Sequence, residues 1–396
     1  MQLFFWISVS ILFFCYLGYG ILLLILDLVI SVFRPAKKPV SSEEKVPVTL
    51  VITAYNEEPV LEQKIKNCLE LDYPAESLEI VIVTDGSSDH SPDIVARYPR
   101  VRLMHQVQRK GKYAAIKRAM AAIHSPIVVF SDANTILNKE SISRILAHYN
   151  DPRVGGVAGE KKISRAPQLS AVGEAEGLYW KYESSMKKLD AGLHSVVGAA
   201  GELYSIRSNL FTQLNDNLIL DDFVISMHVC LKGYQIAYEP GAFATEWPSV
   251  SLAEEEKRKT RISAGAYQSI GYLGQCLNIF KHPVLSFQFI SRRLLRWIFC
   301  PVMLVVLLIT NIIIVLQGGA GFYHWFLYGQ AGFYLLACFG GLSVMSGRNL
   351  GILSIPFYFV FMNYCLVKGF FVFIRGRHTV LWEKALRQEP VNTLAH

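Results

Sequence analysis

VPVTLVIT (46–53), LEIVIVTD (78–85) and PIVVFSD (126–132) are three unbroken apolar runs of strand length, each leading into a polar residue. A strand with one wet face alternates apolar and polar residues. Runs without alternation belong to strands covered on both faces, as in a parallel sheet flanked by helices. The intervening sequence supplies those helices: 57–70 with apolar residues at helical spacing, the short SPDIVARY, and 111–124. VRLMHQ adds a further strand after SPDIVARY. The expected fold is therefore α/β with a mainly parallel sheet. Ligands of open parallel sheets bind beyond the carboxyl ends of the strands. Three of these ends carry Tyr55-Asn56-Glu57, Asp85-Gly86 and Asp132-Ala133-Asn134, which places polar groups along one edge.

Outward from this middle the composition changes. The 396 residues are 52% hydrophobic and only 18% charged, against about 25% charged in a soluble domain. The deficit sits at the ends: residues 1–33 hold one charge, Asp27, and 298–347 hold none. The apolar run at 3–26 is long enough to cross a bilayer, which takes about 20 residues. It lacks the basic start and small-residue cleavage site of a signal peptide. Further apolar stretches lie near 294–317, 322–345 and 350–374, the last with Pro356.

Charge sets the expected orientation. The net charge is +7, with Arg34, Lys37 and Lys38 following the first apolar run and Lys281, Arg292, Arg293 and Arg296 around the start of the second. Such flanks belong on the cytoplasmic side, so residue 40 is expected inside and the N-terminus outside. Four spans would then put the tail outside, although Arg375, Arg377, Lys384 and Arg387 make it basic. Counting and charge point opposite ways there. The mildly amphipathic 266–280 is expected to lie along the membrane surface. No basic stripe interleaved with aromatics argues for nucleic acid. Seven scattered cysteines without a CxxC pair argue for neither zinc nor a disulfide framework.

Several short motifs bear chemistry. Asp132 and Asn134, two apart where a strand ends, offer oxygen ligands to a hard cation such as Mg²⁺ or Mn²⁺, or else cap the next element. Asp85-Gly86-Ser87-Ser88-Asp89 allows a tight turn that holds a base and ribose, or caps a helix. Gln108-Arg109-Lys110-Gly111-Lys112 opens a helix with cations where an anion sits well, or forms a solvated turn. Asp221-Asp222, between an apolar run and a helix, suits a general base or an N-cap. Arg258 and Arg261 lie three apart on a helix and can clamp a diphosphate, although a charge run is commonly a solvated face.

In order, AYNEE (54–58), TDGSSD (84–89), GKxxAIK (111–117), SDAN (131–134), GAAGELYSIR (198–207), LDDF (220–223), GYQIAYEP (233–240) and RKTRISAG (258–265) resemble family 2 glycosyltransferases of the GT-A fold. The likeness covers about residues 46–266 and extends to the membrane branch that includes poly-N-acetylglucosamine, cellulose, chitin and hyaluronan synthases. It implies an N-terminal membrane helix (1–33), a cytoplasmic GT-A domain (34–265), an interfacial segment (266–290), a membrane region (291–375) and a tail (376–396). It implies that Ala54, Tyr55 and Glu57 line a nucleoside pocket with Asp85, that Lys112 and Arg258 approach the diphosphate, and that Asp132 and Asn134 hold the cation. Gly198, Ala200 and Gly201 would wall the acceptor, Asp222 beside Asp221 would take its proton, and Arg261 would steady the leaving group.

The implied reaction is an inverting transfer from a nucleotide-diphosphate sugar, UDP-linked by the family likeness, to a saccharide or lipid-linked acceptor at the cytoplasmic membrane face. Polysaccharide-assembly proteins are implied partners. Asn134 stands where the family's second DxD aspartate would be, and Asp221-Asp222 replaces the usual Glu-Asp. The family's QxxRW appears as Arg258-Lys259-Thr260-Arg261-Ile262, so the tryptophan is missing. Ile262 has no flat aromatic face for a sugar, which weakens the case for processive synthesis. Trp247 and Tyr267 are candidate substitutes. A catalytically idle nucleotide-sugar-binding scaffold, partnering another glycosyltransferase, is the alternative.

Overall fold

The computed structural model describes residues 1–33, 45–164, 171–247, 251–346, 354–376 and 381. Arg34, Lys37, Lys38, Arg377, Lys384 and Arg387 lie outside the described residues. Among the described residues, the middle of the chain forms the strands β1 (Val48–Ala54), β2 (Leu78–Asp85), β3 (Val101–Gln106), β4 (Ile127–Asp132), β5 (Thr135–Leu137), β6 (Val154–Ile163), β7 (Tyr204–Arg207) and β8 (Gln235–Glu246). They make one eight-stranded sheet in the order β3-β2-β1-β4-β7-β6-β8-β5.

The first four strands run parallel, as their apolar runs predict. Alternate residues feed two separate cores. Val51, Val81, Val83, Val128 and Phe130 pack with Ala115, Ile116 and Ala119 of the helix Lys112–Met120. Leu50, Ile52, Ile80, Ile82 and Val129 pack with Leu61, Ile65 and Cys68 of the helix Glu58–Leu69. Removing such side chains from water stabilises by roughly 1.5–3 kcal/mol each before entropy is counted. Beyond β4 the sheet becomes mixed: β7 is antiparallel to β4 and β6, whereas β6 and β8 are parallel.

Register fixes the functional edge. Ala54 pairs with Thr84, and Thr53 pairs with Asp132. The exits of β1, β2 and β4 therefore lie side by side.

Four described helices are long and apolar enough to cross a membrane: Gln2–Ile30, Pro283–Leu316, Gly321–Met345 and Ile355–Ile374. The 266–280 stretch is divided: its first part completes the 21-residue helix Leu252–Tyr272. That helix lies against Ile355–Ile374, where a Cβ on Gly369 would come within 2.4 Å of the Ser263 Cβ. Its N-cap is Ser251, whose Oγ accepts from the Glu254 N–H at 3.3 Å.

Buried ion pairs join the helix Ala171–Leu193 to the apolar helix Pro283–Leu316. Arg292 lies 2.9 Å from Glu183 and 2.8 Å from Asp190, and Arg296 lies 2.7 Å from Glu183. The Tyr19 hydroxyl donates to Asp190 at 2.6 Å. Read from sequence, Arg292 and Arg296 are flank charges. Folded, they are partners of Glu183 and Asp190, which removes much of their weight from a positive-inside count.

Candidate active site

Four elements bring the site together. β4 delivers Asp132, the helix Lys112–Met120 begins with Lys112, the helix Asp221–Leu231 begins with the acidic pair, and the 198–203 loop closes the space. Gly201 marks the meeting point. A Cβ built there would lie 2.9 Å from Lys112 Nζ, 3.2 Å from Asp222 Oδ2 and 3.5 Å from Asp132 Oδ2. Lys112 Nζ donates to Asp132 Oδ1 at 2.6 Å. Thr53, Lys112, Asp132, Gly201 and Tyr204 line one small cleft.

Opposing charges govern protonation here. Burial pushes Lys112 down, but the carboxylates of Asp132, Asp221 and Asp222 outweigh it, and the ammonium stays charged. Asp222 is pushed up to about 7 by desolvation and by the neighbouring Asp221. Asp221 also rises through burial, against the pull of Lys112. Two carboxylates in one desolvated place cannot both ionise at the ordinary cost, so Asp222 titrates near neutrality. Arg261 feels Asp221, Asp222 and Asp132 from the helix Leu252–Tyr272, while burial pushes its own pKa down. Gln268 of that helix holds the approach to Asp221, accepting from the Ile219 N–H at 3.1 Å and donating to Asn217 O at 2.6 Å.

A second group sits at the exits of β1 and β2, next to Ala54. Asn56, at φ 53°, accepts from the Ser88 N–H at 2.8 Å, while the Glu58 N–H donates to Asp89 at 3.0 Å. The Arg109 guanidinium lies 3.5 Å from the Tyr55 ring centroid. Glu57 is buried, and its N–H donates to Ser91 Oγ at 3.0 Å. Asp85 Oδ2 accepts from the N–H groups of Lys110 (3.0 Å) and Gly111 (2.7 Å), so this carboxylate ties down the loop that aims Lys112. Gly86, at φ +67°, is needed there because a Cβ would stand 2.5 Å from the Arg109 Cβ.

The structure places the remaining candidates differently. Asn134 shares the partly exposed face with Asp132, and its amide donates to Glu246 at 3.2 Å. Arg258 is engaged by Glu255 through two 3.0 Å contacts. Gly198 packs beneath Phe223, the residue after Asp222, and Ala200 is the one partly exposed residue of the otherwise buried stretch 198–201.

Lys64 escaped the sequence reading. Fully buried, it donates to Ser131 Oγ (2.8 Å) and to Thr135 O (2.9 Å), which clamps the turn containing Asp132. A signal was present, because Lys64 falls within the apolar stripe of Leu61, Ile65 and Cys68.

Gly201→Ala tests the convergence. The added methyl group would enter the space shared by Lys112 and Asp222. Turnover is expected to fall about 100-fold through misplacement of reacting groups, with thermal unfolding near wild type. Unchanged turnover would mean that nothing reacts beside Gly201.

Comparisons with known proteins agree with this architecture. The Glycosyl transferase family 2 profile matches residues 49–183, and the Glycosyl transferase family group 2 profile matches 127–342, more than half of the chain. A poly-beta-1,6-N-acetyl-D-glucosamine synthase of Staphylococcus aureus is 23% identical over 241 residues, covering 59% of this chain and 58% of the synthase. The probable glycosyltransferase YdaM of Bacillus subtilis is 25% identical over 251 residues, covering 58% and 57%. The chain thus matches somewhat over half the length of these relatives. Among solved structures, the mannosyltransferase PcManGT of Pyrobaculum calidifontis, in complex with GDP-Man and Mn²⁺, superposes with a TM-score of 0.68. It is 18% identical, with 95% of this chain and all of that one covered, a likeness of fold.

Proposed function

The chain belongs to the family 2 glycosyltransferases, and from that premise we propose that it transfers one sugar, with inversion, from a nucleotide-diphosphate sugar to an acceptor hydroxyl at a membrane surface. One observation carries the reading: Lys112, Asp132 and Asp222 meet around Gly201, and Asp222 titrates near 7. The acceptor oxygen attacks the anomeric carbon as the bond to the diphosphate breaks. Asp222 takes the hydroxyl proton, and Lys112 and Arg261 oppose the charge gathering on the leaving group. A single displacement turns an α-linked donor into a β-linked product. The Tyr55 and Asp85 loops, which lie beside this cleft at the same sheet edge, are the proposed nucleoside site.

Among the described residues, no three His, Cys, Asp or Glu side chains gather closely enough to hold a metal ion. Asp132 nevertheless fits a cation that arrives with phosphates: one oxygen meets Lys112, and the other faces the cleft. Mg²⁺ and Mn²⁺ are bound in this way, by one or two carboxylates with substrate oxygens completing the shell. Asp132 would hold the ion, with Asn134 assisting if its amide leaves Glu246, and the ion would supply positive charge to the leaving diphosphate. Chelation by EDTA is expected to abolish turnover and added Mn²⁺ to restore it, with no change in thermal unfolding. Full activity in EDTA would remove the metal from the proposal.

The four apolar helices support a multi-pass protein, with the catalytic domain proposed on the cytoplasmic side. The synthase relative makes UDP-N-acetylglucosamine the first donor to assay, in cell-surface glycan synthesis. UDP-glucose and GDP-mannose follow. Detergent-purified protein supplied with these donors and a lipid extract is expected to release nucleoside diphosphate from one of them. Release from none would refute the proposal.

A further inference from the structure

Lys187, on the helix Ala171–Leu193, has no task in the chemistry above. It is 3% exposed, yet its ammonium has no hydrogen-bond partner among the described residues. The ring of Trp180, a partly buried residue, lies 5.7 Å from it and the Tyr238 ring 5.9 Å. Glu160 accepts from the hydroxyls of Ser184 and Tyr238. Glu202 pairs with Lys161, whose ammonium is 4.8 Å from the Trp180 centroid. Burial pushes the Lys187 pKa down, while Glu160, Glu202 and Glu183 hold it up. Glu202 directly follows Gly201, and its charge reaches Asp222. The cluster therefore begins where the reaction centre ends.

We propose that Trp180, Lys187 and Tyr238, with Glu160 and Glu202, form the acceptor subsite for an uncharged sugar ring, and that Trp180 supplies the stacking face absent at Ile262. This inference rests on the glycosyl-transfer reading. A pyranose has a C–H face that suits an indole and a rim of hydroxyls that suits ammonium and carboxylate groups. A buried ammonium without a partner is costly, and a sugar hydroxyl oxygen would complete it.

The charges around Lys187 are already matched: Glu183 is engaged by Arg292, Arg293 and Arg296, and Lys161 pairs with Glu202 and Glu246. A neutral hydroxyl oxygen would complete the Lys187 ammonium without disturbing these pairs. Of the two aromatic residues that the sequence offers as substitutes, Trp247 and Tyr267, the second is committed elsewhere. Its hydroxyl donates to Trp297 O at 2.7 Å, and its ring packs against Phe370 and Phe373.

The test uses the full-length protein in detergent, with a β-linked N-acetylglucosamine tetramer and a short-chain prenyl phosphate as acceptor probes. Trp180→Ala is expected to raise the tetramer KM at least about ten-fold, with donor KM within about two-fold, and Trp180→Phe to recover most of the loss. Lys187→Met is expected to raise the same KM, with the donor KM within about two-fold of wild type as the control that the catalytic domain is still folded. Wild-type tetramer KM in both variants would overturn the subsite, as would transfer to prenyl phosphate alone. Either result leaves glycosyl transfer itself standing. Failure of the wild type to release diphosphate from any donor overturns both readings.

Discussion

Asp222→Asn is expected to lower turnover by about 10³-fold, within the range that general-base catalysis supplies. The asparagine keeps the shape and the hydrogen bond offered by the Phe223 N–H at 2.8 Å, but it cannot take a proton. Donor binding is expected to survive, because Lys112 and Asp132 remain in place. The wild-type rate should climb with pH through about 7, as Asp222 loses its proton, and the variant should lack that limb. Stability should move the other way. A carboxylate whose pKa is raised on folding stabilises the fold while protonated. That contribution is lost as pH rises from the ordinary carboxylate range through 7. At pH 8 the variant should therefore unfold a few degrees higher than wild type. Wild-type turnover in Asp222→Asn would exclude this residue as the base.

Gly198→Ala is expected to have the largest effect on the fold. The new Cβ would stand 1.9 Å from Phe223 Cδ2 and 2.3 Å from Cε2, and the backbone at φ +86° disfavours any side chain. Phe223 cannot yield readily, since it is 5% exposed and packs against both Phe289 and Trp297. Overpacking and left-handed backbone strain together cost about 3 kcal/mol or more. Thermal unfolding in detergent should drop by many degrees. Any folded remainder should turn over slowly, because Phe223 carries the position of Asp222. A wild-type unfolding temperature would show that Gly198 and Phe223 are not packed in this way.

The parallel half of the fold was legible because its strands are continuous apolar runs whose exits carry the polar residues. The mixed half was not. β5 and β7 span three and four residues, and β6 (VGGVAGEKKI) and β8 (QIAYEPGAFATE) interrupt their apolar residues with glycine and charge. Their pairing depends on partners far away in sequence, which local pattern does not encode. The same limit applies to the site. Asp132 and Asp222 are each visible as motifs, whereas their meeting at Gly201 is a tertiary fact. Arg258 is instructive, because Glu255 stands three residues before it. The pair was visible as a charge run, but only the fold shows Glu255 wholly buried and engaging Arg258 on its own helix.

The most direct measurement is a cryo-EM map of the full-length protein with a turnover-competent nucleotide sugar and Mn²⁺, made with Asp222→Asn to hold the donor intact. The predicted result is a diphosphate between Asp132 and Arg261 within reach of Lys112, the nucleoside against Tyr55 and Asp85, and the anomeric carbon open towards residue 222. A donor lodged elsewhere, or one whose anomeric carbon faces away from that side chain, would contradict the account.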